Sequence, residues 1–242
     1  SNRIHKLFYD SKGLIWLITA EDLYSFNPSE ARFRKFIIDT LSYRKSMNAS
    51  SQPGKIIEDE EGRIWLATPH GLYRYDRRTD IFDSFLNTPG DNQSLPGNSI
   101  PYLASDDEGR IWLSAEGHGL VLITDRDSGR FRTINRTASN YPESGFDSIV
   151  TLLPDSKGNI WSFGGSTFSC FYPGRNEFRF FKLPEPKYLR KDHWYNRMEI
   201  KFAWEDKGGN IWFLHSMEGF MFRFDPESET AKMIFVPNFS VF

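Results

Sequence analysis

An all-β fold of repeated four-stranded antiparallel sheets is predicted, on three observations. The tetrapeptide Gly-x-Ile-Trp occurs five times. Its tryptophans, Trp16, Trp65, Trp112, Trp161 and Trp212, stand 49, 47, 49 and 51 residues apart. No segment keeps apolar residues at i, i+3, i+4 and i+7 over three turns, so the repeating unit is not helical. A period of this length matches stacked β-sheet blades, which run roughly 40–50 residues. The fold class is therefore a β-propeller, or an open stack of such blades.

The second repeat shows how each unit reads. Lys55–Glu58 is strand A and Asp59-Glu60-Glu61-Gly62 a tight turn. Ile64–Thr68, Leu72–Tyr75 and Ile81–Phe85 are strands B, C and D. Asp10, Asp59, Asp106, Asp155 and Asp206 each stand three residues before the repeat glycine. A glycine there closes a hairpin with positive φ, and an aspartate can accept bonds from backbone N–H groups of its own turn. Short connections make each unit an antiparallel meander. In Leu14-Ile15-Trp16-Leu17-Ile18 both alternating sets of side chains are apolar, so both faces of the sheet must be covered. Blades stacked face to face achieve this, with the tryptophans as packing between them. One propeller domain, or propeller fragment, is expected over 1–242, with blades at about 3–38, 54–86, 100–134, 148–183 and 199–236.

Composition removes several function classes. Aromatic residues are 16% of the chain, which excludes disorder. The net charge of −2 leaves no electrostatic footprint for nucleic acid. No apolar run approaches the roughly 20 residues of a membrane span, so no membrane contact is expected within this chain. One cysteine, Cys170, precludes an internal disulfide and a Cys-based metal cluster.

Asp-x-x-Gly-x-Ile-Trp-Leu-x-Thr followed by Gly-Leu-Tyr-Arg-Tyr-Asp, at Asp59–Asp76, resembles the two-component regulator propeller repeat. Asp106–Leu113 and Asp206–Trp212 carry the same pattern. The first repeat has Asp22 where the second glycine falls, and the fourth has Ser162-Phe163-Gly164-Gly165 in place of Leu-x-Thr. The resemblance implies the periplasmic sensor region of Bacteroides-type hybrid two-component histidine kinases, which respond to glycan fragments. It also implies a larger, seven-bladed propeller; a closed five-bladed ring is the alternative. Expected partners are an oligosaccharide or other small ligand, the other blades and domains of a parent receptor, and a homodimer. The chain is not expected to be an enzyme, any kinase activity lying in another part of such a receptor. The alternatives are a propeller lyase or other metal-dependent enzyme, and a protein-interaction or dimerisation scaffold.

The connections from strand D to the next strand A are long, at 39–53, 87–99, 135–147 and 184–197. With the B–C loops they are expected to emerge on one face around the axis, where a rigid scaffold presents function. That face would hold His193, Trp194, Tyr195, Asn196, Arg197, Tyr43 and Arg44 from the D–A connections. His70, Glu116, His118 and His215 come from the B–C loops. An aromatic platform beside Asn and Arg suits sugar rings and their hydroxyls. His70, His118 and His215 lack accompanying His-x-His or Cys pairs, so no metal site, cofactor or catalytic residue is assigned. Asp125-x-Asp127-x-Gly129 is expected to be a plain turn, since the later ligands of a calcium loop are missing.

Overall fold

The computed structural model describes residues 4–19, 22–36, 55–134, 139, 149, 151–164, 167–182, 200–215 and 220–235. These residues form five four-stranded antiparallel sheets, each in simple sequence order. Blade 1 comprises β1 (Ile4–Tyr9), β2 (Ile15–Thr19), β3 (Leu23–Asn27) and β4 (Arg32–Phe36). Blade 2 comprises β5 (Ile56–Glu58), β6 (Ile64–Thr68), β7 (Gly71–Asp76) and β8 (Ile81–Phe85). Blade 3 comprises β9 (Tyr102–Ser105), β10 (Ile111–Ala115), β11 (Gly119–Asp125) and β12 (Arg130–Thr133). Blade 4 comprises β13 (Thr151–Pro154), β14 (Ile160–Gly164), β15 (Thr167–Tyr172) and β16 (Glu177–Lys182). Blade 5 comprises β17 (Ile200–Glu205), β18 (Ile211–His215), β19 (Phe220–Asp225) and β20 (Thr230–Phe235). The first strands of blades 2 to 5 lie side by side, so strand A is innermost and strand D forms the outer edge.

The repeat motif is one hydrogen-bonded device, built five times. The glycine takes φ between 73° and 81° in all five turns. Its N–H donates to the carbonyl of the aspartate. One carboxylate oxygen of the aspartate accepts from the backbone N–H groups two and four residues on, as for Glu61 and Arg63 beside Asp59. The other oxygen accepts from the indole Nε1 of the repeat tryptophan six residues on. Those distances are 2.6 Å at Asp10, 2.8 Å at Asp59, 2.7 Å at Asp106, 2.9 Å at Asp155 and 2.7 Å at Asp206. The spacing of the motif thus follows from geometry: strand B must bring the tryptophan back over the turn that precedes it. A buried indole N–H also finds its acceptor this way.

The carboxylate oxygen facing the indole takes a further donor. Arg63 and Arg110 supply Nε at 2.7 Å, and Asn159 supplies Nδ2 at 3.0 Å. Leu14 holds that position in blade 1, and Arg77 reaches over from blade 2 to pair with Asp10. At Asp59, burial alone would raise the carboxyl, but the Trp65 indole and Arg63 guanidinium outweigh it and hold Asp59 below its ordinary value. Donation from Trp212 and Asn210 likewise lowers Asp206. A carboxylate whose folded pKa is depressed stabilises the fold fully above its unfolded value, near 4, and loses that contribution as pH falls through the folded value. Stability is therefore expected to change little from pH 7 to about 5 and to fall steeply below about 4. Urea midpoints taken across that range check this; a midpoint that rises on acidification contradicts it.

Each sheet has two faces with different roles. The leading face carries the repeat tryptophan and meets the trailing face of the next blade. Four apolar clusters result, one at each successive junction. Trp16, Ile18, Leu23 and Phe36 pack on Ile56, Ile64, Leu66, Tyr73 and Tyr75. Trp65, Ala67 and Leu72 meet Leu103, Ile111 and Leu113. Trp112 and Leu120 meet Leu152, Ile160, Phe171 and Phe178. Trp161, Phe163 and Phe168 meet Ile211, Phe213, Phe222 and Phe224. Trp16, Trp65, Trp112 and Trp161 are each at most 1% exposed. Trp112 and Trp161 set their rings edge-on to Phe171 and Phe224 of the following blade, at centroid distances of 5.9 Å and 5.5 Å. Cys170 is buried in the last of these clusters, and burial pushes its thiol well above the ordinary range, so it packs as a small apolar group.

Candidate functional site

The described B–C turns and D–A connections of the face singled out in the sequence belong to blades 2 and 3. In blade 2 the B–C turn is fixed by Thr68, whose hydroxyl donates to the Gly71 carbonyl and accepts from His70 N–H. This leaves His70 half-buried at the rim. In blade 3, Glu116 N–H bonds the Ser99 carbonyl, and Ser99 Oγ donates to Glu116 Oε2 at 2.6 Å. His118 N–H closes its own turn on the Ala115 carbonyl, and its imidazole lies against Gly97. A Cβ on residue 97 would stand 2.8 Å from the ring, so glycine is what lets the connection pass beneath the histidine.

The 87–99 connection departs from the expected course. Its ends follow the blade rims, where Ile100 N–H bonds the Thr68 carbonyl. Its middle turns outward to the edge of blade 3. Gln93 carbonyl accepts from Phe131 N–H at 2.8 Å, and Asp91 pairs with Arg130 at 3.1 Å. Leu95 is fully buried in the cluster between blades 2 and 3, which anchors the arch. Ser139 does the same on blade 4, exchanging backbone bonds with Asn176 and Phe178 at the edge strand. The physical reason is that an outer strand presents unpaired backbone groups, and a passing connection satisfies them.

Beneath the first arch lies a cleft of about 850 Å³, running from His118 to the Asp125 turn. Asn92, Gln93, Thr124, Arg130 and Arg132 contribute to its lining. Two guanidinium groups, two amides, an imidazole and the carboxylates of Asp91 and Asp125, the former paired with Arg130, give it planar donors and acceptors suited to a hydroxyl-rich ligand. Arg130 and Arg132 went unnoticed in the sequence; their signal is the i, i+2 spacing on strand D, which is informative only once the 87–99 connection is known to fold back over that strand. Asp125 accepts from the N–H groups of Asp127 and Ser128 and from Ser128 Oγ, so this segment is a capped turn.

The structure brings His118 into the cleft, sets Glu116 beside it in the B–C turn, and leaves His70 on the neighbouring rim. His215 closes β18, paired with Ile200, and its side chain is not among those described. His193, Trp194, Tyr195, Asn196, Arg197, Tyr43 and Arg44 lie outside the described residues. Among the described residues, no group of three or more His, Cys, Asp or Glu side chains is arranged to hold a metal ion. Among them, too, no helix is long and apolar enough to cross a membrane.

Sheets of this order, fanned from inner A strands and stacked through repeat tryptophans, define a propeller-type repeat protein. The family model described as two component regulator propeller matches residues 94–117, which run from the 87–99 connection through the Asp106 turn into the B–C turn of blade 3. Residues 94–117 therefore carry the two component regulator propeller repeat. No curated protein sequence matches the chain. Among solved structures, it is similar to the extracellular domain of the hybrid two component system BT3049 from B. thetaiotaomicron, with a TM-score of 0.72 and 20% identity over 96% of this chain and 30% of that one. The corresponding domain of BT4673 gives a TM-score of 0.68 and 22% identity, over 99% of this chain and 32% of that one. A catalytically inactive virginiamycin B lyase from Staphylococcus aureus gives a TM-score of 0.70 and 14% identity, over 97% of this chain and 70% of that one. The chain thus spans about a third of the length of the extracellular domains it resembles. At these identities the likeness is one of fold.

Proposed function

We propose that this chain is an extracytoplasmic, ligand-binding propeller segment of a two-component signalling receptor, and that it responds to glycan fragments. The observation that carries this reading is the regulator-propeller repeat at 94–117, together with a fold shared with extracellular domains of hybrid two component systems. The proposed ligand face is that of the B–C turns and D–A connections. His70, Glu116 and His118 stand on its described part, and His118 opens into the arginine- and amide-lined cleft over blade 3. His215 and the segment His193, Trp194, Tyr195, Asn196 and Arg197 belong to the same proposed face, as do Tyr43 and Arg44.

The test is thermal. A ligand that binds only the folded state raises stability by about 2.7 kcal/mol at one hundred times its Kd. A library of neutral and acidic oligosaccharides is expected to contain members that raise the Tm of the purified chain, and Arg132→Ala is expected to abolish the shift without lowering the Tm of the free protein. No shift across the library, with no heat of binding by calorimetry, sinks the direct-sensor reading. The lyase reading has only the shared scaffold behind it. Metal analysis of purified protein separates the two, because a stoichiometric divalent ion would favour the lyase.

A further inference from the structure

Three buried hydroxyls, Ser114 Oγ, Ser162 Oγ and Ser169 Oγ, have no hydrogen-bond partner among the described residues. All three residues are 0% exposed. A buried hydroxyl left unpaired is costly, and such groups are normally satisfied by protein atoms or by ordered water. Ser114 stands opposite Leu120 across β10 and β11, on the leading face of blade 3. Ser162 stands opposite Ser169 across β14 and β15, and opposite Leu152 on β13. Leu120 and Leu152 are both buried in the cluster between blades 3 and 4. Residues directly opposite in register share a face of the sheet, so all three serines point into that one junction.

The other junctions show what these positions hold elsewhere. By register, the counterparts of Ser114, Ser162 and Ser169 are Ile18, Leu66 and Tyr73 at the first junction. They are Ala67, Leu113 and Val121 at the second, and Phe163, Phe213 and Phe222 at the last. All of these are buried hydrophobic residues. At the last junction the rings of Phe163 and Phe213 lie 5.1 Å apart, centroid to centroid, and those of Phe213 and Phe222 5.2 Å. The three positions therefore converge on one spot between successive blades.

At the junction of blades 3 and 4 that spot is both polar and lined by small side chains. On the leading side the neighbouring residue does not restore the bulk. Ile134, whose N–H bonds the Leu120 carbonyl, stands where Phe36, Phe85 and Phe181 stand on the other leading faces. On the trailing side Phe180, opposite Ser169, is larger than its counterparts Ser84, Thr133 and Met233, but it is only partly buried, on the outer strand.

We propose that the junction between blades 3 and 4 is a binding site for buried water, which bridges Ser114 Oγ on one blade to Ser162 Oγ and Ser169 Oγ on the other. An internal site takes water where it is polar, has room and offers two to four hydrogen-bond partners. Three hydroxyls, each able to donate and to accept, supply the partners, and side chains smaller than those of the first and last junctions supply the room. The first, second and last junctions are closed at this level by direct apolar contact, whereas this one is closed by hydrogen bonds through water. The departure of the fourth repeat from Leu-x-Thr at Ser162 thereby gains a role, since it builds the trailing half of the site.

The sign of a stability change tests this in the full chain. Replacing a dry, unpaired hydroxyl by alanine removes a penalty and raises the Tm, whereas replacing one that holds water takes a partner from that water and lowers it. Ser114→Ala, Ser162→Ala and Ser169→Ala are each expected to lower the Tm. Water-oxygen magnetic relaxation dispersion, which counts internal waters of long residence, gives the direct reading. Ser114→Ala with Ser162→Leu and Ser169→Val installs the side chains of the second junction and is expected to hold fewer such waters than the parent. Should those larger side chains prevent folding, Ser162→Ala with Ser169→Ala only removes atoms and is expected to show the same loss. A Tm that holds or rises in any of the three alanine variants means a hydroxyl buried dry, and an unchanged count means that no water is held by the serines; either result overturns the proposal.

Discussion

Replacing Asp59 by alanine is expected to remove about 3–5 kcal/mol of stability, because it strands a buried cation. The Asp59 side chain is fully buried and that of Arg63 is 2% exposed. Asp59 accepts from two backbone N–H groups, from Arg63 Nε and from the Trp65 indole. Alanine leaves all four donors without that acceptor. Arg63 keeps Asp127 of blade 3 at 2.6 Å and Glu61 at 3.2 Å, but the first carboxylate is largely, and the second half, in water. A surface partner cannot offset the desolvation of a guanidinium held inside.

The size of this effect should depend on the neighbour that is orphaned. Asp206→Ala strands the neutral amide of Asn210 instead of an arginine, so its cost is expected to be clearly smaller. The pair Asp59→Ala with Arg63→Leu is expected to recover much of the loss, since blade 1 already folds with Leu14 at that position. Urea unfolding of the three variants gives the ranking directly. An Asp59→Ala cost below about 1 kcal/mol would mean that this turn does not depend on its carboxylate.

The same turn shows where sequence reasoning reached and where it stopped. Five copies of one motif at near-constant spacing specify blades, and alternation on strand B specifies that both faces are covered. The observed strands of blade 2, Ile56–Glu58, Ile64–Thr68, Gly71–Asp76 and Ile81–Phe85, fall within a residue or so of that reading. Backbone bonding by the turn aspartate was also legible, because such bonds are local. The indole bond was not, although both partners were singled out. It closes only when the hairpin returns strand B over the turn, a fact of three-dimensional register. Junction clasps such as Arg34 with Asp80 are 46 residues apart and carry no local pattern. The ligand face was least legible. Loop length says that a connection has slack, but not that 91–94 will turn outward to satisfy the edge of blade 3. Arg130 and Arg132 entered the cleft for that reason, while Glu116, chosen from its loop, bonds to Ser99.

Trp112→Ala and Trp212→Ala change the same residue of the same repeat, yet they are expected to differ widely. Trp112 is 1% exposed between blades 3 and 4, edge-on to Phe171, with its indole held by Asp106. Truncation there opens a cavity that neighbouring strands cannot close, so the expected cost is about 3–5 kcal/mol. Trp212 makes the same bond to Asp206, but it is half-buried and, among the described residues, stacks on Trp204, itself 41% exposed. Truncation there removes a hydrogen bond and part of a stacked pair without creating a closed void, so its cost should fall well below that of Trp112. Urea midpoints of the two variants measure the difference, and acrylamide quenching should reach Trp204 in the parent chain far more readily than Trp112. Equal losses and equal quenching would mean that blade 5 is covered in solution, either by blade 1 or by another molecule. Unequal losses would mean that the stacking energy of this repeat is realised only where a following blade is in place, so that each blade is stabilised by its successor.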